Sequence, residues 1–199
     1  VRAWIDHVDA LLEAWYPGEQ GAIAIAETLF GDNNPGGRLP FSWARHAGQL
    51  PIYYDIKPSG RDYVYNDDDG KPMFPFGFGL SYTTFEYSGL VLPSEVKKDG
   101  TVEVKFTLKN TGKVKGDEVV QLFLHDELAP VVRPLRELKA FKRVTLEPGE
   151  SREVVLTLPY RSFGFWNREL KFGVEPGEFK VFIGKNSADT QLEGSLNVL

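Results

Sequence analysis

Two patterns of apolar and polar positions divide the chain. From Thr84 onward the apolar residues alternate with polar ones at period two. Thr101–Lys109 places Val102, Val104, Phe106 and Leu108 on one face and charged residues on the other. Val119–Leu124, Leu138–Leu146, Val154–Leu158 and Phe179–Ile183 give further strands, and Gln191–Leu199 is expected to close a sheet edge. Asn110-Thr111-Gly112, Glu147-Pro148-Gly149-Glu150 and Glu175-Pro176-Gly177-Glu178 read as turns between them. About seven or eight short strands at spacings near 8–12 residues predict an antiparallel β-sandwich.

The first 83 residues read differently. Ala22–Phe30 predicts a helix: Pro17 stands near its start, Glu19 near its positive end, and Gly31 is placed as the C′ residue. Ile23, Ala26, Leu29 and Phe30 fall along one face, as in a helix packed on a sheet in an α/β layer. Val8–Trp15 is an apolar run too short for periodicity to separate a buried strand from a helix. Leu50–Tyr54 reads as a short extended run. Asp32–Pro40, Lys57–Arg61 and Asn66–Gly70 are rich in turn formers and read as loops.

Met73–Phe85 joins the two patterns. Pro75, Gly77 and Gly79 stand among five aromatic residues. The segment is either a packed connector or an exposed aromatic binding loop. Closely spaced aromatics, each burying about 150–250 Å², favour the connector.

Composition narrows the function classes. The chain has 199 residues, 42% of them apolar and 26% charged, with a net charge of −5, as expected of a chain with a real core in one or two domains. No basic stripe or run occurs, which argues against nucleic acid and against an anionic membrane surface as partners. Nor does any apolar run reach the roughly 18 residues of a spanning helix. With no cysteine, disulfides and thiolate chemistry are excluded. Because the chain begins at Val1 without a signal-peptide pattern, a mature product, a proteolytic piece or an expressed segment are the alternatives, with a piece favoured.

Candidate chemistry is sparse. Glu13, Glu19, Glu27 and Asp32 are the carboxylates near the loops of the first half, but Glu19 is explained by the helix dipole and Glu27 by a solvated helical face. His7, His46 and His125 lack the spacing of a zinc site. The Asp67–Asp69 triplet lacks the spaced ligands and closing Glu of a calcium loop and reads as a solvated turn. Gly36-Gly37-Arg38 is a tight turn, since no phosphate-loop pattern leads it into a helix, and Ser81 has no nucleophile-elbow frame. Trp15, Trp43, Tyr53, Tyr54 and Trp166 are candidates for stacking on sugar rings. No catalytic, cofactor-binding or metal-ligating residue is assigned, and no cofactor is expected.

Two long motifs carry a resemblance. Leu11–Trp43, with Trp15-Tyr16-Pro17-Gly18, the helix and Gly31–Pro40, and then Pro72–Ser88, with Phe74–Gly79 and Leu80–Phe85, resemble the end of the α/β sandwich domain of glycoside hydrolase family 3. Ile56–Ser59 is similar to a stretch of some bacterial members. Asn110–Gly112, Leu135–Phe141 and Pro176–Phe179 resemble landmarks of the fibronectin type III-like domain that follows it in many members. The implied fold is a partial α/β sandwich layer over residues 1–83, with a connector at 73–85, then an all-β immunoglobulin-like or fibronectin type III-like sandwich over 84–199.

The implied whole enzyme is an exo-acting, retaining β-glucosidase or β-xylosidase. Its nucleophilic Asp lies in an N-terminal barrel and its acid/base Glu upstream of the Trp-Tyr-Pro-Gly motif, so no catalytic residue transfers to this chain. The partners implied are that barrel, the upstream part of the sandwich domain and, through the intact enzyme, carbohydrate. A periplasmic or extracellular location is suggested, with the cytoplasm left open. The alternative is an independent sandwich module binding carbohydrate or a subunit. Residues 1–83 alone bury too little surface to stand by themselves, so this half is expected to leave an apolar face uncovered.

Overall fold

The computed structural model describes residues 4–58 and 69–199. The alternating half folds as expected. Ten strands are present among these residues: β1 (Phe85–Val91), β2 (Glu95–Val96), β3 (Thr101–Asn110), β4 (Gly116–Asp126), β5 (Glu137–Leu146), β6 (Ser151–Pro159), β7 (Phe165–Trp166), β8 (Phe172–Gly173), β9 (Gly177–Gly184) and β10 (Thr190–Val198). One sheet has the order β1-β3-β6 and the other β2-β10-β9-β4-β5, while β7 and β8 form a separate hairpin. Val102, Val104, Phe106 and Leu108 all point into the space between the two sheets and are fully buried. They meet Val120, Leu122 and Leu124 of β4, Val154, Leu156 and Leu158 of β6, and Val181 and Ile183 of β9 in one core. Period-two burial on both sheets is what makes this a sandwich.

Two strand-level expectations change. β10 does not close an edge: Asn197 and Val198 pair in parallel with Glu95 and Val96 of β2, which becomes the edge strand. Two residues are too few to show alternation, so β2 left no pattern to read. The Glu175–Glu178 turn is absent as well, because the chain arrives extended and Gly177 already pairs with Val198.

In the first half, α1 (Gly21–Phe30) forms where expected, and Gly31 ends it in the left-handed region at φ 88°, donating its N–H to the Thr28 carbonyl. The face meant for a sheet is bare: Ile23, Leu29 and Phe30 are exposed, and only Gly21 and Thr28 are buried. Val8–Trp15 is neither strand nor helix, following a single 3-10 turn at Ile5–His7, and Leu11, Leu12 and Trp15 face solvent. Leu50–Tyr54 forms no strand either. Their aromatic residues nevertheless anchor two of these segments: Trp15 packs on Phe41 and Trp43, and Tyr54 stacks on Phe76.

The connector is packed. Phe76 stacks on Tyr54 at 4.2 Å and Phe74 on Phe78 at 4.9 Å between ring centroids. An isolated bridge ties Trp43 to Phe74.

Candidate functional site: the seam between the two halves

The polar residues that the fold brings together lie where the first half meets the outer face and one end of the β4 sheet. Asn34 anchors one end. Its Nδ2 donates to the Lys115 carbonyl at 2.9 Å, while its Oδ1 accepts from Ser81 Oγ at 3.0 Å and from the Tyr82 N–H at 2.8 Å. A side chain on Gly116 would come within 2.6 Å of Asn34 Nδ2, so glycine is what lets the loop approach so closely. Beside it, Thr83 Oγ1 donates to Asn110 Oδ1 at 2.6 Å, and buried Asn110 donates onward to the Val114 and Leu146 carbonyls.

At the centre, Arg38 Nη2 donates to Glu118 Oε1 at 2.8 Å, with 8% and 3% of their side chains exposed. Glu118 Oε1 also accepts from the Val119 N–H. An ion pair this deeply buried holds two charges whose desolvation has already been incurred, so losing one partner costs far more than the pair itself contributes. Tyr87 lies in reach of this pair. Burial pushes its hydroxyl far above the ordinary phenol value, the Glu118 charge pushes the same way, and Arg38 opposes both.

Further along, Gln121 Nε2 donates to the Gly77 carbonyl at 3.3 Å and to the Lys185 carbonyl at 2.8 Å. Gly77 has φ 81°, and a Cβ there would sit 2.3 Å from Gln121 Oε1. The conformation and the contact both require glycine. Ser187 N–H to Phe76 carbonyl and Leu135 N–H to Ile56 carbonyl, each at 2.9 Å, complete the attachment. On the rim, Arg143 donates to Asp117 Oδ2 from Nε at 2.7 Å and again from Nη2. Burial alone would raise the Asp117 pKa, but hydrogen bonds from Thr145 and Arg143 outweigh it and hold the carboxyl below its ordinary 3.8.

The residues weighed for catalysis stand elsewhere. Glu13 accepts the N–H of Trp15 at 2.9 Å, and Glu13, Glu19, Glu27 and Asp32 are all exposed. His7 and His46 are also exposed, whereas His125 Nδ1 sits 2.9 Å from the Pro134 carbonyl. Among the described residues no group of three His, Asp or Glu is placed to hold a metal. Asp67 and Asp68 lie outside the described residues, and Asp69 pairs with Arg45 at 3.1 Å. Ser81 serves Asn34. Trp15 and Trp43 form a three-ring cluster with Phe41 at centroid distances of 5.7–6.1 Å. Tyr53 and Trp166 are exposed, and Trp166 meets Phe172 edge-on across the β7–β8 hairpin.

Sequence reasoning passed over Glu118, Gln121, Asn34 and Asn110. The available signal was polarity in the wrong place: Glu118 and Gln121 interrupt the apolar run of β4, and buried polar groups need partners.

By fold, then, the chain is a helix-bearing segment clamped on a two-sheet sandwich. Residues 1–82 match the glycosyl hydrolase family 3 C-terminal domain, and residues 118–187 match a fibronectin type III-like domain. A periplasmic β-glucosidase of Salmonella typhimurium is 43% identical over 96% of this chain and 26% of its own length. For a β-xylosidase of Formosa agariphila the figures are 43%, 94% and 27%. Among solved structures, a β-glucosidase of Erythrobacter marinus superposes with a TM-score of 0.93 at 41% identity, over 98% of this chain and 26% of that one. The Listeria innocua β-glucosidase in complex with glucose gives 0.90 at 36%, over 97% and 28%. The chain belongs to glycosyl hydrolase family 3, as a C-terminal portion that spans about a quarter of the length of these relatives.

Proposed function

We propose that the chain is the non-catalytic C-terminal part of an exo-acting, retaining β-glycosidase that removes terminal β-linked glucose or xylose. Retaining hydrolysis needs two carboxyl groups about 5–5.5 Å apart, and on this reading neither comes from this chain. Its role is structural: residues 1–83 complete an α/β layer, 73–85 connect, and 84–199 form the sandwich that holds the layer through the seam. The missing partners are the barrel and the upstream part of the layer.

The observation that carries this reading is the bare apolar surface of the first half. Leu11, Leu12, Trp15, Ile23, Leu29 and Phe30 are exposed within twenty residues of sequence. An exposed apolar patch of that kind marks a surface made to be covered. The named relatives are about four times as long, and on this reading the additional length supplies the cover. A periplasmic or extracellular location accords with the periplasmic relative, and no helix among the described residues is long and apolar enough to cross a membrane.

The purified chain is expected to show no turnover of an aryl β-glucoside, and addition of the upstream portion of the enzyme is expected to restore it. Turnover by the chain alone within a thousandfold of an ordinary kcat of roughly 10 s⁻¹ would overturn the assignment. A second reading, a carbohydrate-binding module, rests on exposed Trp166. Retention of residues 1–199 on insoluble β-glucan, lost in Trp166→Ala, would support it.

A further inference from the structure

The loop from Glu127 to Arg136, which joins β4 to β5, turns its charges in and its apolar side chains out. Glu127 pairs with Lys180 of β9 at 3.0 Å. Arg133 pairs with Glu137 and lies 4.8 Å over the Phe165 ring. Arg136 donates to the Ser187 carbonyl and to Thr190 Oγ1, and lies 4.4 Å over the Phe182 ring. His125 Nδ1 donates to the Pro134 carbonyl at 2.9 Å, since a carbonyl oxygen only accepts. The apolar members do the opposite: Leu128 is 87% exposed, Val132 58% and Leu135 43%. The loop is thus pinned to the sandwich through its polar groups, and the pinning holds these three side chains in water.

We propose that this loop is a second contact surface for the upstream portion of the enzyme, which then rests on the sandwich as well as on the helix-bearing half. The inference builds on the reading that such a portion completes the chain, and adds where else it docks. Position selects the occupant. The loop enters β5 where the first half is attached: the Leu135 N–H donates to the Ile56 carbonyl at 2.9 Å, and the Leu138 N–H to the Tyr54 hydroxyl at 3.3 Å. Leu50 and Tyr53, which lead into that attachment, are exposed as well. Apolar side chains therefore stand in water on both sides of the join, one set from each half. Exposed apolar groups gathered within a polar rim are the make-up of a protein interface. The rim charges cancel in pairs, Glu127 with Lys180 and Arg133 with Glu137, which favours a protein surface over an anionic lipid one.

Hydrogen exchange of the chain, alone and with the upstream portion of the enzyme added, tests it. On assembly the amides of Leu128, Ala129, Val131 and Val132 are expected to exchange at least about tenfold more slowly. Leu128→Asp with Val132→Asp is expected to weaken assembly at least about tenfold while leaving the melting temperature of the chain itself unchanged. Lys109→Asp, exposed on β3 of the other sheet, is expected to leave assembly as it was. Exchange in the wild-type chain decides if the double variant does not fold. Assembly without protection of the loop, or equal weakening by Lys109→Asp, would overturn the inference and leave the proposed function standing. Protection that rises with the concentration of the chain alone would mark a second copy as the occupant, and would overturn it too. Failure of the two portions to assemble would remove both readings.

Discussion

At the scale of single residues, polarity inside an apolar frame is what gives the seam its character. Asp117 is the member whose charge can be followed. Because its folded pKa is lowered by Thr145 and Arg143 against the opposing effect of burial, its contribution to stability is fully present above the ordinary value of 3.8. That contribution is lost as the pH falls through the lower, folded value. Its partner Arg143 is largely solvent-exposed, so the contribution is modest, about 0.5–1 kcal/mol. Asp117→Asn is therefore expected to lower the unfolding free energy by that amount at pH 7. Urea titrations should find the difference shrinking toward zero below pH 3.8. A difference that persists undiminished in acid would refute the electrostatic account.

At the scale of elements, the clamp joins a loop to β4 across 80 positions of sequence. Removing one member leaves the other charged and buried. Arg38→Ala is expected to cost about 3–5 kcal/mol, and the double variant Arg38→Met with Glu118→Leu to recover most of it. Denaturant unfolding of the two singles and the double checks this, since non-additivity is the signature of a direct pair. The strands of the sandwich could be read from the sequence because each buries alternate residues against the opposite sheet, as β3 does from Val102 to Leu108. The α1 helix could be read because proline, an acidic residue and glycine punctuate it. Other elements could not. The place of β10 depended on two-residue β2, and Val8–Trp15 is an apolar run too short for periodicity to decide its form. The seam was half visible: Arg38 and Gly77 stood in recognisable motifs, but nothing local shows that Arg38 meets Glu118 or that Gly77 meets Gln121.

At the scale of the molecule, the two halves differ in what they bury. The sandwich closes its own core, and the first half turns apolar side chains outward. Ile23→Lys with Leu29→Glu is therefore expected to change the melting temperature of the chain by no more than about 4 °C, because each surface substitution usually falls within about ±0.5 kcal/mol. The same pair should reduce binding of a hydrophobic dye and self-association at micromolar concentration, read by fluorescence and light scattering. If the proposed upstream portion covers this face, the same pair should strongly destabilise the assembled enzyme. A large loss of stability in the chain by itself would mean that this face is already covered.

The ten-residue run from Glu137 to Leu146 forms the open margin of the larger sheet, and Lys139, Lys142 and Arg143 lie along it. Arg143 is paired with Asp117 and Lys139 lies 3.5 Å from Glu137, so a second molecule offering the same margin would meet charged side chains held in ion pairs along the strand. Charged side chains along an edge strand guard against fibril growth, and the Leu138 N–H of this one is already taken by the Tyr54 hydroxyl.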